Sequence, residues 1–93
     1  MRAMLKDRVI AESHDVVEYD GYYYFGRADV RMEWLEPADK TESDRVCPHG
    51  VLFYDVVIDG VRHKRVAWSY EAPHAPLHHI AERIGFWEGV DVR

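Results

Sequence analysis

The residues with the most chemistry to offer lie in the middle of this 93-residue chain, where the only cysteine stands in Arg45-Val46-Cys47-Pro48-His49-Gly50. In extended backbone Cys47 and His49, two residues apart, project to one side. A thiol beside an imidazole or a guanidinium such as that of Arg45 is the arrangement that makes a cysteine nucleophilic, so Cys47 and His49 form the candidate catalytic pair. Pro48 counts against acyl transfer, because the peptide after the thiol has no N–H for an oxyanion. The plain alternative is a cysteine that only packs, since free cysteine is among the most commonly buried residue types.

Cys47, His49 and His74 would together make an N/S set suited to zinc or iron. The chain has no Cys-x-x-Cys or His-x-x-x-His spacing, however, so neither a metal site nor a cofactor is expected. Binding is the broader possibility. Trp34 and Trp68-Ser69-Tyr70 offer flat apolar walls with polar tips, the composition of a small-molecule pocket. The candidate ligand-binding set is therefore Arg27, Trp34, Ser69, Tyr70 and His74, with Arg27 holding an anionic group. Asp29 reads as a turn cap.

These residues need elements to bring them together. Asp59-Gly60 separates two β-branched, aromatic-rich runs and predicts a two-residue hairpin turn. The register that follows sets Ile58 against Val61, Val56 against His63, Tyr54 against Arg65 and Leu52 against Ala67. The other face then pairs Val57 with Arg62, Asp55 with Lys64, Phe53 with Val66 and Val51 with Trp68. At the open end His49 comes near Tyr70, so the base of this hairpin is where a site should lie.

A second hairpin is predicted around Asp20-Gly21. It places Val17, Tyr19, Tyr22 and Tyr24 on one face and Val16, Glu18, Tyr23 and Phe25 on the other. This tyrosine run reads as core with a wet rim rather than a base-stacking platform, because Glu18 and Asp20 carry the wrong sign for nucleic acid.

Elsewhere, Met1–Asp7 reads as a frayed lead-in with no apolar stretch of signal-peptide length, and Arg8–Ala11 as a short strand. Gly26–Val30 suggests a turn, and Arg31–Glu36 a half-buried strand closed by Pro37. The polar run Pro37–Arg45 reads as a surface loop able to act as a flap. Leu77, Ile80, Ala81 and Ile84 recur at helical spacing between Pro76 and Gly85, which predicts a helix over about 76–84. A last strand is expected over about Phe86–Val92. With hairpins throughout and no βαβ rhythm, the fold class is mainly β, in one domain over 1–93: a small curved antiparallel sheet or open barrel with one C-terminal helix.

Composition narrows the function. Seventeen acidic against twelve basic residues give a net charge of −5, which argues against nucleic acid or an anionic membrane as a partner. One cysteine excludes an intrachain disulfide and fits a cytoplasmic setting.

Taken in order, these residues resemble the family called domain of unknown function 427. The matching stretches are Tyr23-Tyr24-Phe25, Arg27–Met32, Leu35–Asp39, Cys47-Pro48 with Gly50 and Tyr54, Val66–Tyr70 with Pro73, Phe86-Trp87 and Val90–Val92. The resemblance implies a compact β-tent fold, an architecture shared with B-type methionine sulfoxide reductases and small zinc-binding exchange-factor chaperones. The family usually reads Cys-Pro-x-Lys-Gly; here Cys47-Pro48-His49-Gly50 is one residue shorter and lacks the lysine. A nucleotidyltransferase label travels with the family, yet the chain has no Gly-Ser followed by paired carboxylates and no phosphate loop. The function expected is binding of an unidentified small molecule at the base of the 50–70 hairpin, with thiol chemistry at Cys47. The alternative is a non-catalytic interaction module or homodimer built on exposed sheet edges.

Overall fold

The computed structural model describes residues 1–93 and is mainly β, with two antiparallel sheets and no closed barrel. The strands are β1 (Arg2–Leu5), β2 (Arg8–Glu12), β3 (Val16–Tyr19), β4 (Tyr22–Phe25), β5 (Leu35–Pro37), β6 (Val51–Ile58), β7 (Val61–Tyr70), β8 (Ile84–Phe86) and β9 (Asp91–Val92). The only α-helical segment is a single turn, α1 (Glu42–Arg45). Six strands form the larger sheet in the order β3-β4-β8-β7-β6-β5, and three form the smaller in the order β2-β1-β9.

Both Asp-Gly turns are hairpin turns with two central residues at positive φ, Asp20 and Gly21 (53° and 84°) and Asp59 and Gly60 (53° and 79°). That conformation matches the twist of the strands it joins. The β3–β4 register is the one the sequence predicts, Tyr19 opposite Tyr22 and Val17 opposite Tyr24.

The β6–β7 register follows the prediction only near the turn. Ile58 pairs with Val61 and Val56 with His63, but a bulge then offsets the strands by two residues. Tyr54 consequently opposes Ala67, Phe53 opposes Trp68 and Val51 opposes Tyr70. The expected Asp55–Lys64 pair gives way to a different use of the carboxylate: Asp55 Oδ1 accepts from the Arg65 backbone N–H at 2.9 Å, and Oδ2 accepts from Arg62 at 2.9 Å. Arg65 sits at φ 54°, the left-handed conformation that lets the extra residues loop out. Because the offset is even, Val51–Tyr54 and Ala67–Tyr70 keep the faces assigned to them, whereas Arg65, inside the bulge, turns to the Phe53 side.

Other expectations are corrected. In place of a frayed lead-in, Arg2–Leu5 is the middle strand of the smaller sheet, with Ala3 and Leu5 buried. Its hairpin to β2 turns on Lys6-Asp7, both at positive φ without a glycine, which is why the turn is hard to read. The strand expected over Arg31–Glu36 is a 3-10 turn (Met32–Trp34) followed by β5. The polar loop holds α1, capped by Thr41 and Asp44, and Arg65 ties it down through the buried Asp44 at 2.9 Å.

The predicted helix over 76–84 is absent: Leu77–Ile80 is a 3-10 turn and Ile84–Phe86 is a strand between β4 and β7. Leu77 and Ile80 bury on one side of the large sheet, and Ile84 buries on the other. A single helix cannot serve both layers. Gly85 is a strand residue rather than a helix stop, because a Cβ there would come within 2.9 Å of the Tyr24 ring and 3.0 Å of the Trp68 ring. The last strand divides as well, β8 joining the large sheet and β9 pairing with β1.

One face of the large sheet packs on the small sheet through Ile10, Phe25, Val56, Ile84 and Phe86. The other face carries Tyr24, Val51 and Trp68, covered only in part by Leu77 and Ile80. That half-covered face positions the candidate site. No helix is long and apolar enough to cross a membrane.

Candidate functional site: an aromatic cleft on the open face of the large sheet

Alternation decides what the open face presents. In a strand every second side chain points the same way, and cross-strand partners share a face. Tyr24 pairs with Gly85 and Gly85 with Trp68, so these three form a row across β4, β8 and β7. Trp68 pairs with Phe53 and Tyr70 with Val51, which carries the row onto β6. Since Gly85 has no side chain, the Tyr24 and Trp68 rings close over its backbone, 6.1 Å apart and edge to face.

The result is a cleft of about 480 Å³ in which eight of eleven wall residues are hydrophobic. Its inner wall is a continuous aromatic mosaic. Tyr22 meets Trp68 edge-on at 5.1 Å and stacks on Trp87 at 5.6 Å. Trp68 also contacts Trp87 at 5.8 Å and Phe53 at 6.2 Å. Each such pair adds about 0.5–1.5 kcal/mol beyond area burial, so the wall holds its shape without a ligand. Trp87 is 46% exposed at the rim.

Polar groups are few and placed at the edges. Burial pushes the Tyr24 phenol up to about 12, with the nearby Tyr70 phenol adding to the shift and the Trp68 indole N–H opposing it. Burial raises Tyr70 as well, helped by the neighbouring Cys47 thiol. Both phenols are therefore neutral donors at physiological pH. Trp68 Nε1 is the one buried side-chain nitrogen or oxygen without a hydrogen-bond partner. Asp20, Lys64 and Arg65 complete the lining. The Arg65 guanidinium lies 4.1 Å from the centre of the Phe53 ring and pairs with Asp44.

The sequence-predicted site residues separate into two groups. Tyr70 lines the cleft, and half-buried Cys47 packs on the cluster beneath it. His49 flanks Tyr70 with ring centres 5.7 Å apart, and its Nδ1 accepts from the His74 backbone N–H at 3.0 Å. That bond leaves the ring proton on Nε2. Cys47, His49 and His74 do not assemble a metal-binding cluster.

Ser69 and Arg27 lie on the opposite side of β7. Ser69 is fully buried and accepts from Arg27 at 3.1 Å while donating to Glu71 at 3.0 Å. Arg27 also donates to the Tyr54 hydroxyl, to Glu71 and to the Glu82 carbonyl. The guanidinium thus fastens β6, β7 and the segment before β8 together, and each of its three nitrogens already donates to a partner within the chain. Trp34 packs against the main core, under Arg31 at 5.0 Å, away from the cleft. Sequence reasoning missed Tyr19, Tyr22, Tyr24, Phe53 and Trp87 as cleft residues. The signal was there in part, because the predicted β3–β4 register already set three tyrosines on one face.

A family model described as a domain of unknown function (DUF427) matches residues 1–93. The chain belongs to that family. No curated protein matches the chain. The family resemblance read from the ordered motifs is thus confirmed over the full length of this DUF427 domain, and the residues that carry it divide between roles. Tyr24, Trp68, Tyr70 and Trp87 build the cleft, whereas Arg27, Tyr54 and Ser69 build the latch behind it.

Proposed function

We propose that this DUF427 domain binds a small, largely aromatic molecule in the cleft between the tyrosine hairpin and the base of the β6–β7 hairpin. The observation that carries this reading is a concave, mostly apolar cleft of about 480 Å³ that the fold leaves half covered. Ligand sites commonly occupy about 300–1,000 Å³ and combine apolar walls with a few convergent polar groups. Thiol chemistry is not needed by this reading: Cys47 packs on the same apolar cluster as Tyr70. A single cysteine is consistent with action in the cytoplasm.

The test is ligand-observed NMR with indole as a probe at millimolar concentration. Saturation transfer to indole is expected, and Trp87→Ala should reduce it severalfold while leaving the protein folded, its melting temperature lowered only by the loss of the Tyr22 and Trp68 contacts of a residue that is 46% exposed. Absence of transfer to the unsubstituted protein would sink the proposal. The competing reading, an interaction module, is favoured by the same exposed Trp87 at the rim. It predicts concentration-dependent dimers in sedimentation that Trp87→Ala abolishes.

A further inference from the structure

The charges around the cleft narrow the ligand class, on the premise that the cleft binds a small molecule at all. Three charged residues line it: Asp20, Lys64 and Arg65. Arg65 already has a partner in Asp44, at 2.9 Å. Asp20 and Lys64 are exposed, and neither takes part in any ion pair or side-chain hydrogen bond of the chain. The register locates them. Tyr24, Gly85 and Trp68 share a row, and the Trp87 N–H reaches the Val66 carbonyl at 2.7 Å, so Tyr22, Trp87 and Val66 form the next row. β4 and β7 both run antiparallel to β8, hence parallel to each other. Asp20, in the turn before Tyr22, and Lys64, in the bulge before Val66, both lie beyond this row and both line the cleft, so they fall at the same end of it.

We infer that the cleft takes an aromatic zwitterion of the free aromatic amino acid class. The ring lies against the aromatic wall, the ammonium faces Asp20 and the carboxylate faces Lys64. A purely anionic ligand would leave Asp20 as a like-charge neighbour, and a purely cationic one would face Lys64. Only a head group carrying both charges gives each rim residue an opposite partner.

The experiment compares L-tryptophan, tryptamine, indole-3-propionate and indole by saturation-transfer NMR, on the unsubstituted protein, Asp20→Asn and Lys64→Gln. Asparagine tolerates the positive φ at position 20, so the turn is kept. Tryptophan is expected to bind tightest. Asp20→Asn should weaken tryptophan and tryptamine up to about fivefold, the range of an exposed ion pair, and spare indole-3-propionate. Lys64→Gln should weaken tryptophan and indole-3-propionate and spare tryptamine. Equal affinity for all four probes, or a substitution that weakens all of them alike, overturns the head-group assignment while leaving the cleft as a binding site. Failure of every probe, indole included, overturns the underlying reading instead.

Discussion

The Asp55 carboxylate accepts a hydrogen bond from the backbone N–H of Arg65 at 2.9 Å, and this bond holds the bulge that offsets the long hairpin by two residues. Phe53 comes to lie opposite Trp68 because of it, and the Arg65 guanidinium comes over Phe53. The wall of the cleft depends on one buried acid. Asp55→Ala removes acceptors from both Arg65 and Arg62 and should cost about 1–3 kcal/mol. Urea denaturation checks this. Asp55→Asn, which keeps one acceptor, should lose less.

Gly85 is the second point on which the cleft depends. A methyl group there meets Tyr24 at 2.9 Å and Trp68 at 3.0 Å, so one ring must move. Gly85→Ala should destabilise by about 1–3 kcal/mol and alter the near-ultraviolet circular dichroism of the tryptophans. Gly26→Ala is the control: it has open space and an ordinary φ, and its melting temperature should stay within a few degrees of the parent.

The Arg65 side chain, hydrogen-bonded to Asp44, holds that carboxyl below the usual carboxylate range. A carboxyl with a lowered folded value adds stability that is present above its unfolded value, about 4, and is lost as pH falls through the folded one. Acid unfolding should therefore steepen below about pH 4. Asp44→Asn should flatten that limb, as followed by tryptophan fluorescence.

At the alkaline end the sign reverses. The Tyr24 phenol is pushed up to about 12, so its contribution is complete below the unfolded value of about 10 and disappears as pH rises toward 12. Absorbance titration of the six tyrosines should resolve a late-ionising fraction. Tyr24→Phe should remove part of it.

The turn at Lys6-Asp7 offers a gain. Both residues hold positive φ, 51° and 66°, at a cost of about 1–2 kcal/mol each for ordinary side chains. Replacing the pair by Asn-Gly should raise the melting temperature, as read by thermal unfolding, because those residues suit this turn. A fall would show that the Lys6 or Asp7 side chain contributes more than its backbone strain costs.

Local chemistry made part of this legible from sequence. Asp20-Gly21 and Asp59-Gly60 need only their own φ preferences to turn the chain, and strict alternation then set Tyr19, Tyr22 and Tyr24 on one face. Family membership was legible for the same reason, since ordered motifs survive without coordinates. Tertiary structure decided the rest. The stripe Leu77, Ile80, Ala81, Ile84 has helical spacing, but two of its members bury on one side of a sheet and one on the other, so burial outweighed periodicity. Ser69 and Tyr70, neighbours in sequence, went to opposite faces of β7, one into the Arg27 latch and one into the cleft. Which face becomes core and which stays open depends on where the small sheet docks. That docking rests on the β1–β9 pairing of Arg2–Leu5 with Asp91–Val92, a contact between the two ends of the chain that no local window contains.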